Sequence, residues 1–594
     1  MQQFNRYNLN RTLISIKPNI WDVIVLVIVL GILAAIAWGT SQMTTPYQIG
    51  DPIQISLDPR YLPKYTISTV LRLFIALAFS LLATFTLAPL AAKNRHAERF
   101  LLPLIDIMQS IPVLGMLSIT VVGFIHLFPN SLLGPECAAI FAIFTSQVWN
   151  MILSLYQSLR TIPKDIQEAA QVYRLSAWQR FWRVELPYGT PSLLWNTMLS
   201  MSAGWFFVVL SEAISVSNQA ITLPGIGSYI SKAILESNLP AIGYAILTMF
   251  IVILIYDQLL FRPLLAWVDK FKAEIDEEEP FIECWFFNIL AKTKLLKLGE
   301  NLFSMILDKI INVPKISAYP GSRLNLRLKL KLPMALNNLN LGNILAKFSL
   351  LFWNTLILVG IIAGCIMLAK FIRDTIHVTE ILHVAMLGLI TAIKVILLII
   401  IASIIWIPIG VWIGMSRQAT RFSQPIIQFI AAFPANLLYP IAVILIVKFS
   451  LNKNIWTAPL MILGTQWYIL FNVIVGSASI PKEIKLAAKN FGVKGRLWWQ
   501  RLILPAIFPY YATGAMTAAG GCWNASIVAE FVQWGDHTII ATGLGSYIAE
   551  FTRVGDFPRI ALGIAVMSLY VTLFNRLLWR RLYNLAANRF SMGE

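Results

Sequence analysis

The composition of this 594-residue chain excludes a soluble globular protein, because 57% of its residues are apolar and only 13% are charged. Soluble globular chains usually carry about 25% charged residues, and a mean hydropathy of +0.70 indicates that lipid is the main solvent. The net charge of +18 does not indicate nucleic-acid binding, since the basic residues lie in short segments between apolar stretches rather than on one soluble face.

The first apolar run is predicted to be a retained membrane span rather than a cleaved signal peptide. Arg6, Arg11 and Lys17 precede the run at 20–39, and no small-residue cleavage site follows it. We therefore expect a first transmembrane helix in this segment.

About twelve apolar segments of the chain can cross the membrane as helices, for which about 20 residues suffice. The two at 68–92 and 381–415 are long enough to be tilted or kinked. Basic residues concentrate after the second, fourth, eighth and tenth spans, which predicts that both termini are cytoplasmic. The predicted spans are 20–39, 68–92, 101–128, 135–155, 188–212, 240–261, 349–369, 381–415, 425–448, 456–477, 506–530 and 557–579.

A charged stretch without a span divides the chain into two halves. Residues 263–348 contain an acidic run at 274–279 and a basic strip at 323–331. Such a segment is either a cytoplasmic linker whose apolar face rests on the bilayer or a regulatory or partner-docking element. The predicted domains are a first module over 1–262, this linker, and a second module over 349–594.

The two halves repeat each other. IPKDIQEAAQVYRLSAWQRFWRVELP in the first half aligns with IPKEIKLAAKNFGVKGRLWWQRLILP in the second, so that Pro163 pairs with Pro481 at an offset of 318. This self-similarity predicts two homologous modules of about six spans each, which run in the same sense and share one translocation pathway. The same offset relates Trp205 to Trp523, Glu212 to Glu530, and the motif GIGSYI at 225–230 to GLGSYI at 543–548.

Each module contains a polar, proline-bounded loop on the predicted cytoplasmic side, at 162–187 and 480–505. Pro163 and Pro481 suit the first turn of a helix, and an acidic residue two positions later favours the positive end of the helix dipole. The closing Leu-Pro pairs are expected to end the loop and start the next span. A loop of this length with a repeated Ala-Ala core favours a docking surface over a simple tie between two spans.

These loops resemble the EAA loop of ABC-importer permeases, which reads Glu-Ala-Ala, three residues, Gly, nine residues, Ile, any residue, Leu-Pro. In the first module Val184 replaces the Ile, and Arg174 stands at the Gly position. In the second module Leu486 replaces the Glu and Leu502 replaces the Ile. The remaining positions match the pattern: Glu168, Ala169, Ala170, Leu186 and Pro187 in the first module, and Ala487, Ala488, Gly492, Leu504 and Pro505 in the second.

The resemblance implies both a function and a set of partners. In that family the loop forms a coupling helix that sits in a cleft of the ATP-binding subunit. It implies that two ABC ATPase subunits, which bind ATP and Mg²⁺, and an extracytoplasmic substrate-binding protein assemble with this chain. The chain contains no Gly-Lys dipeptide and hence no P-loop, so no cofactor is expected on it. The departures at Arg174 and Leu486 leave open whether both loops couple equally.

Further motifs resemble the nitrate, sulfonate and taurine branch of these permeases. They are Thr69-x-x-Arg72 at the start of the second span, the Trp205…Glu212 end of the fifth span, and the GIGSYI motif. This resemblance implies a small anion as the cargo, such as nitrate, a sulfonate, taurine or bicarbonate.

Ionisable residues inside the membrane are costly and therefore invite a functional interpretation. Arg72 and Lys394 are equivalent in the repeat and either attract an anion or snorkel to the outer interface. Glu212 and Glu530 would repel an anion, so gating or salt bridges to these two cations are favoured over direct binding. The pathway or gating candidates are Arg72, Lys394, Trp205, Glu212, Trp523 and Glu530.

The sequence thus predicts an all-α membrane protein with about twelve transmembrane helices in two tandem six-span permease modules. We expect it in the inner (cytoplasmic) membrane of a bacterium, where it imports a small solute while ATP is hydrolysed on a separate subunit. The alternative is a secondary transporter driven by an ion gradient, which parallel repeats also fit. That alternative gives no reason for two docking loops. No catalytic or metal-binding arrangement stands out among the five histidines and four cysteines.

Overall fold

Apolar helices joined by short loops dominate the computed structural model of this protein. The predicted linker at 263–348, the predicted span at 349–369 and both termini lie largely outside its described residues. Besides scattered positions between 286 and 371 and position 585, it describes residues 20–43, 45–46, 53–216, 219–268 and 376–582.

The first module combines long helices with one short antiparallel hairpin. Its elements are α1 (Ile20–Met43), α2 (Leu62–Lys93), α3 (Arg95–Ser110), α4 (Val113–Leu127), α5 (Leu133–Arg160), α6 (Lys164–Val172), α7 (Ala177–Arg180), α8 (Leu186–Ser211), β1 (Ala213–Val216), β2 (Gln219–Thr222), α9 (Ile226–Leu235), α10 (Leu239–Tyr256) and α11 (Arg262–Val268).

The second module repeats this order from its first long helix onward. Its elements are α12 (Val378–Gly414), α13 (Arg417–Ala432), α14 (Tyr439–Lys448), α15 (Lys453–Trp456), α16 (Ala458–Leu463), α17 (Gln466–Ala478), α18 (Lys482–Asn490), α19 (Gly495–Trp498), α20 (Leu504–Ala529), β3 (Phe531–Trp534), β4 (His537–Ile540), α21 (Leu544–Val554) and α22 (Phe557–Phe574).

Three predicted spans are bent helix pairs rather than single helices, which corrects the sequence prediction. The bends measure 97° between α3 and α4, 73° between α13 and α14, and 45° between α16 and α17. Ile111 precedes Pro112 and Phe433 precedes Pro434; both preceding residues are extended, because proline disfavours the α conformation in the residue before it. The described residues contain eight candidate spanning helices, or up to eleven if each bent pair is one span.

Leu186 and Leu504 are the first residues of α8 and α20, as expected for the start of a span. The loop does not end there, however, because a continuous helix already begins at Ala177 and Gly495. Short π-helical turns at Phe181–Glu185 and Trp499–Ile503 join α7 to α8 and α19 to α20. Pro187 has no N–H to donate to the preceding turn, and a widened π turn accommodates such a missing hydrogen bond. Ala177–Ser211 and Gly495–Ala529 therefore each form one candidate span.

The short helices α6 and α18 lie at the end of the bundle opposite to the hairpins. α5 leads into α6, and α8 then runs back through 26 residues, about 39 Å of helix, to reach β1. α17, α18, α20 and β3 repeat this path in the second module. Both docking candidates are consequently on one face and both hairpins on the other.

Each module has its own hydrophobic core, and the modules pack against each other reciprocally. α4 packs against α20, α21 and α22, while α13 packs against α8 and α10. The Val113 N–H donates to Asn524 Oδ1 at 2.9 Å, and the Trp195 and Phe471 rings lie 4.9 Å apart. One continuous interface thus joins the two modules.

The outward faces of the spanning helices are apolar. Leu397, Ile404 and Trp412 on α12 are exposed, as are Val27 and Leu33 on α1. An apolar surface of this extent suits lipid rather than water.

Candidate functional site

The two docking helices, α6 and α18, begin in the same way. Pro163 and Pro481 are the N-cap residues, one position before the first turn in which the sequence places them. Asp165 and Glu483 lie in the first turn, where a carboxylate favours the positive end of the helix dipole. The predicted start of each helix is therefore correct to within one residue.

The docking helices also end in the same way, although the residues differ. Arg174 adopts the left-handed conformation with φ = 50°, and Gly492, its repeat partner, has φ = 65°. In both loops the next residue closes the helix end, since Leu175 N–H donates to the Ala170 carbonyl at 3.1 Å and Val493 N–H to the Ala488 carbonyl at 2.9 Å. The departure from Gly to Arg174 thus leaves the backbone unchanged.

The docking helices expose most of the residues that match the family pattern. Ala170 of α6 is buried and Ala488 of α18 is partly buried, whereas Ala169 and Ala487 are exposed. Glu168 and Leu486, which directly precede the two Ala pairs, are also exposed. The departures at 168 and 486 are therefore changes of surface and do not alter the core.

An exposed aromatic residue follows each helix, and sequence reasoning missed this pair. Tyr173 is 79% exposed and Phe491, its partner at the offset of 318, is 84% exposed. A large ring that faces water on a helical loop is suited to contact another protein. The repeat itself contained this signal, because both modules place an aromatic residue three positions after the second Ala.

The base of the first docking loop is polar, whereas that of the second is apolar. Glu185 is buried and pairs with Lys93 at 2.7 Å and with Arg180 at 2.8 Å. Its repeat partner, Ile503, is fully buried in the core of the second module. Leu186 and Leu504, with Pro187 and Pro505, continue the adjoining helices into each module.

Arg72 is the centre of a buried ion-pair cluster at the other end of the first module. Its guanidinium forms a two-pronged pair with Glu136, with both N–O distances 2.6 Å, and a second pair with Glu212 at 2.6 Å. It also donates to the Pro224 carbonyl at 3.0 Å. Arg72 is 1% exposed. Its side chain therefore does not snorkel to the outer membrane interface, which was one of the two interpretations of this residue from the sequence.

Lys394 occupies the same place in the second module with a simpler set of partners. Its ammonium donates to Glu530 at 2.8 Å and to the Thr542 carbonyl at 2.7 Å. Thr542 is the repeat partner of Pro224, so both cations bind the same backbone carbonyl of the loop. The salt bridges predicted between Arg72 and Glu212 and between Lys394 and Glu530 are present, and both cations are held by carboxylates.

Each buried glutamate also binds the start of the helix that follows the hairpin. Glu212 accepts the Gly227 N–H at 2.7 Å, and Glu530 accepts the Gly545 N–H at 2.9 Å. A Cβ at Gly227 or Gly545 would collide with the carbonyl of Val209 or Ser526. The GIGSYI and GLGSYI motifs therefore need glycine for a close approach to the end of the preceding helix, not for a nucleotide.

Thr69 completes the first cluster and Thr391 the second. The Ile226 N–H donates to Thr69 Oγ1 at 3.0 Å, and the Leu544 N–H donates to Thr391 Oγ1 at 2.9 Å. The Thr-x-x-Arg motif and its Thr-x-x-Lys counterpart thus place a hydroxyl and a cation one helical turn apart, both facing the loop.

Glu136 is a further member of the first cluster that sequence reasoning missed. It is 1% exposed and lies at the start of α5, 64 residues from Arg72 in sequence. A lone carboxylate near the end of a span gave no signal of its own, because its partner is brought to it only by helix packing.

The two candidate tryptophans are core residues. Trp205 is fully buried with its ring centroid 5.9 Å from that of Tyr256, and Trp523 is 3% exposed with its ring 6.2 Å from that of Tyr570. Trp205 belongs to the core of the first module and Trp523 to that of the second. Their role in the pathway remains a prediction.

The hairpins connect each ion-pair cluster to the opposite module. β3 of the second module packs against α9, and β1 of the first packs against α21. The Gly535 N–H donates to the Ile234 carbonyl at 2.8 Å across this boundary. Each glutamate therefore anchors a helix that the other module contacts.

A small aromatic cavity lies at the interface between the modules. Asp257 also lines it and pairs with Arg262 at 3.1 Å, and no lysine or arginine is present among the described residues of its wall. Its rings come from both modules: Trp195, Tyr256, Phe261, Phe429, Trp467, Tyr468 and Phe471. An anion in this cavity would meet rings, hydroxyls, the Gln428 amide and the Asp257 carboxylate, but no cation from those residues.

Comparison with protein families accounts for this duplicated architecture. Residues 80–269 and 406–589 each match the profile of the binding-protein-dependent transport system inner membrane component. The chain belongs to this family. Each match includes the docking helix of its module and the buried glutamate, Glu212 or Glu530. The family match therefore covers both ends of the helix bundle.

Relatives with curated names share between 23% and 31% sequence identity with this chain over part of its length. The bicarbonate transport system permease protein of Synechococcus elongatus is 31% identical over 149 residues, which are 25% of this chain and 50% of the relative. The nitrate import permease protein of Leptolyngbya laminosa is 23% identical over 210 residues, 34% of this chain and 72% of the relative. The trimethylamine N-oxide transport system permease protein of Pelagibacter ubique is 23% identical over 194 residues, 32% of this chain and 24% of the relative. The chain spans about half the length of the bicarbonate relatives it matches.

Proposed function

We propose that this chain is the transmembrane subunit of an ATP-driven importer in a bacterial cytoplasmic membrane. The proposal rests on the two exposed docking helices, which have the same backbone conformation at one end of two homologous modules. Each helix sits in a cleft of an ABC ATPase subunit, and the two subunits bind the ATP and Mg²⁺. Both chain termini lie on the same, cytoplasmic, side as these helices.

The proposed cargo is a small oxyanion such as bicarbonate or nitrate. Relatives named for bicarbonate and nitrate transport support this class. Arg72 and Lys394 are occupied by carboxylates, and the described wall of the inter-module cavity has no cation. We therefore assign selection of the anion to an extracytoplasmic substrate-binding protein, while the membrane subunit opens and closes the passage.

The ion-pair clusters support a role in closing the outer end of the passage. Each cluster fixes α9 or α21, and the hairpin of the opposite module packs on that helix. When ATP binding draws the docking helices together, the modules rock against each other and these cross-module contacts separate. Rigid clusters let each module move as one body during this step.

The exposed aromatic pair provides a direct test of coupling. We expect Tyr173→Ala and Phe491→Ala together to lower ATPase stimulation about tenfold, since truncation of an aromatic hot spot in an interface costs about 2 kcal/mol or more. Both rings are exposed in the free chain, so the membrane domain should fold normally. The measurement is ATP hydrolysis by the cognate ATPase with this chain in lipid nanodiscs, together with uptake of labelled bicarbonate or nitrate into proteoliposomes that contain ATP.

Phe449→Ala is the matched control, because this exposed ring follows α14 at the end of the bundle away from the docking helices. We expect it to leave stimulation unchanged. The proposal is wrong if no ATPase associates with the wild-type chain and uptake instead follows an imposed ion gradient.

A further inference from the structure

The two docking faces have one backbone shape but different charge. We define the first docking face as residues 163–176 and the second as residues 481–494, which correspond position by position. The first contains two basic and two acidic residues, which cancel. The second contains four lysines and one glutamate, a net charge of +3. Two surfaces with equal folds but unequal charge are not equally suited to one partner surface.

Two of the charge differences lie at surface positions of the loop, and the partly buried Ser176 at one of them also caps α7 through its side chain. Gln171 and Ser176 of the first face correspond to Lys489 and Lys494 of the second, and these two lysines are exposed. Helix bounds and closing hydrogen bonds are nevertheless the same in both loops. Because α6 and α18 keep the same bounds, the added charge of the exposed lysines acts on whatever approaches the face.

Arg174 shows that the first face is specialised as well. The left-handed conformation costs a residue with a Cβ roughly 1 kcal/mol more than it costs glycine, and the second face has glycine at this position. Arg174 is exposed and lies at the corner of the loop, next to the exposed Tyr173. A strained residue that glycine could replace is retained where its side chain has a use. The first face thus presents an exposed arginine at the corner of the loop, and its net charge of zero includes this residue.

We infer that the two docking faces bind two different ATPase subunits, the second of which has the more acidic cleft. This inference rests on the proposed function and names its partner more closely. A homodimeric ATPase would offer two identical clefts. A cleft whose charge complements the second face, of net charge +3, would not complement the neutral first face. A pair of unlike subunits gives each face a complementary cleft and fixes which subunit binds which module.

The test places a photo-reactive p-benzoyl-phenylalanine at position 173 or 491 of the full chain, in place of the exposed ring, in cells that express its transport system. Cross-linked proteins are identified by mass spectrometry. We expect two different Walker-motif ATPases, with the more acidic cleft on the one captured from position 491. High salt should lower the yield at 491 about fivefold and the yield at 173 less than twofold, because salt screens exposed charges.

Two matched double variants isolate the charge. Lys489→Gln with Lys494→Ser gives the second face the residues of the first at these two positions and lowers its net charge from +3 to +1. This change should lower the cross-link yield at 491 about fivefold at low salt. Gln171→Lys with Glu168→Gln raises the net charge of the first face to +2 and leaves the Ser176 capping box intact. This variant should shift capture at 173 toward the acidic ATPase.

The outcomes separate this inference from the function on which it rests. Capture of one and the same ATPase at both positions, with equal salt dependence, overturns the inference and leaves the importer intact. Capture of the chain's own acidic run at 274–279 from position 491 also overturns it, since the lysines would then serve an internal contact. If neither position captures an ATPase, the proposed function itself fails.

Discussion

At the scale of single residues, several side chains differ between modules that share a backbone. Arg72 binds two carboxylates and Lys394 binds one, while Arg174 occupies a conformation that suits its counterpart Gly492. These substitutions alter local energies without altering the fold. Their effects can be measured by exchanging the two residues of each pair.

Exchange at the end of the docking helices should change local stability in opposite directions. Arg174→Gly relieves a left-handed conformation that costs about 1 kcal/mol for a residue with a Cβ, so the closing hydrogen bond should open less often. We expect hydrogen exchange at the Leu175 amide to slow about fivefold. Gly492→Arg should accelerate exchange at the Val493 amide by a similar factor. Equal protection in wild type and variants would contradict the strain at Arg174.

Exchange of the two equivalent cations, buried Arg72 and partly buried Lys394, should have unequal effects. Arg72→Lys leaves one ammonium for Glu136 and Glu212, and a buried acceptor that loses its partner costs about 1–3 kcal/mol. Lys394→Arg keeps a cation beside Glu530, the only carboxylate paired with it among the described residues. Thermal melting in one detergent should show a larger fall in Tm for Arg72→Lys. Equal falls would mean that the pair with Glu136 adds no stability.

At the scale of elements, the most constrained contact is that between each post-hairpin helix and the end of the span before it. α9 and α21 start within hydrogen-bond distance of a buried glutamate. The second glycine of each motif, Gly227 or Gly545, lies against a backbone carbonyl. Backbone cannot move aside as a flexible side chain can. The element boundary therefore tolerates no side chain at this point.

Alanine substitutions at glycine should separate this contact from general helix effects. Gly227→Ala and Gly545→Ala must displace α9 or α21, because the added Cβ meets the carbonyl of Val209 or Ser526. We expect a lower folded yield by size-exclusion chromatography and a lower Tm. Gly243→Ala is the control, since no atom lies within 4 Å of the added Cβ and alanine favours a helix over glycine. A normal Tm for Gly227→Ala would show that the helix can shift without cost.

At the scale of the whole molecule, the modules are joined by contacts that any rocking motion must break. Ser118 on α4 and Thr552 on α21 have hydroxyl oxygens 3.4 Å apart, and the Gly535–Ile234 hydrogen bond joins a hairpin to the opposite module. The docking helices act at the other end of the bundle. Transport thus depends on transmitting a movement along helices such as α8 and α20.

A disulfide across this interface should arrest the cycle. Ser118→Cys with Thr552→Cys, in a background without the four natural cysteines, places two thiols close enough for a bond. We expect oxidation to abolish ATP-driven uptake in proteoliposomes and a reductant to restore it. The single variants should transport in either condition. Full uptake by the cross-linked double variant would show that these contacts do not separate during transport.

The sequence by itself determined the class, the duplication and the position of the docking loops. Apolar segments of spanning length require lipid, and long segments that repeat at an offset of 322 and then 318 residues require two homologous modules. The salt bridges of Arg72 and Lys394 were also predictable, because charge balance inside a membrane demands a partner and the repeat supplied a glutamate for each. These inferences use local pattern and composition alone.

The tertiary structure decided what depends on residues distant in sequence. Only helix packing brings Glu136 to Arg72, places the Val209 carbonyl against Gly227, and turns Trp205 into the core. It also showed three spans to be bent and the Leu-Pro pairs to lie inside continuous helices. The partners of a side chain depend on which separate helices pack together. Neither the periodicity nor the residue spacing of one segment predicts the distance between two helices.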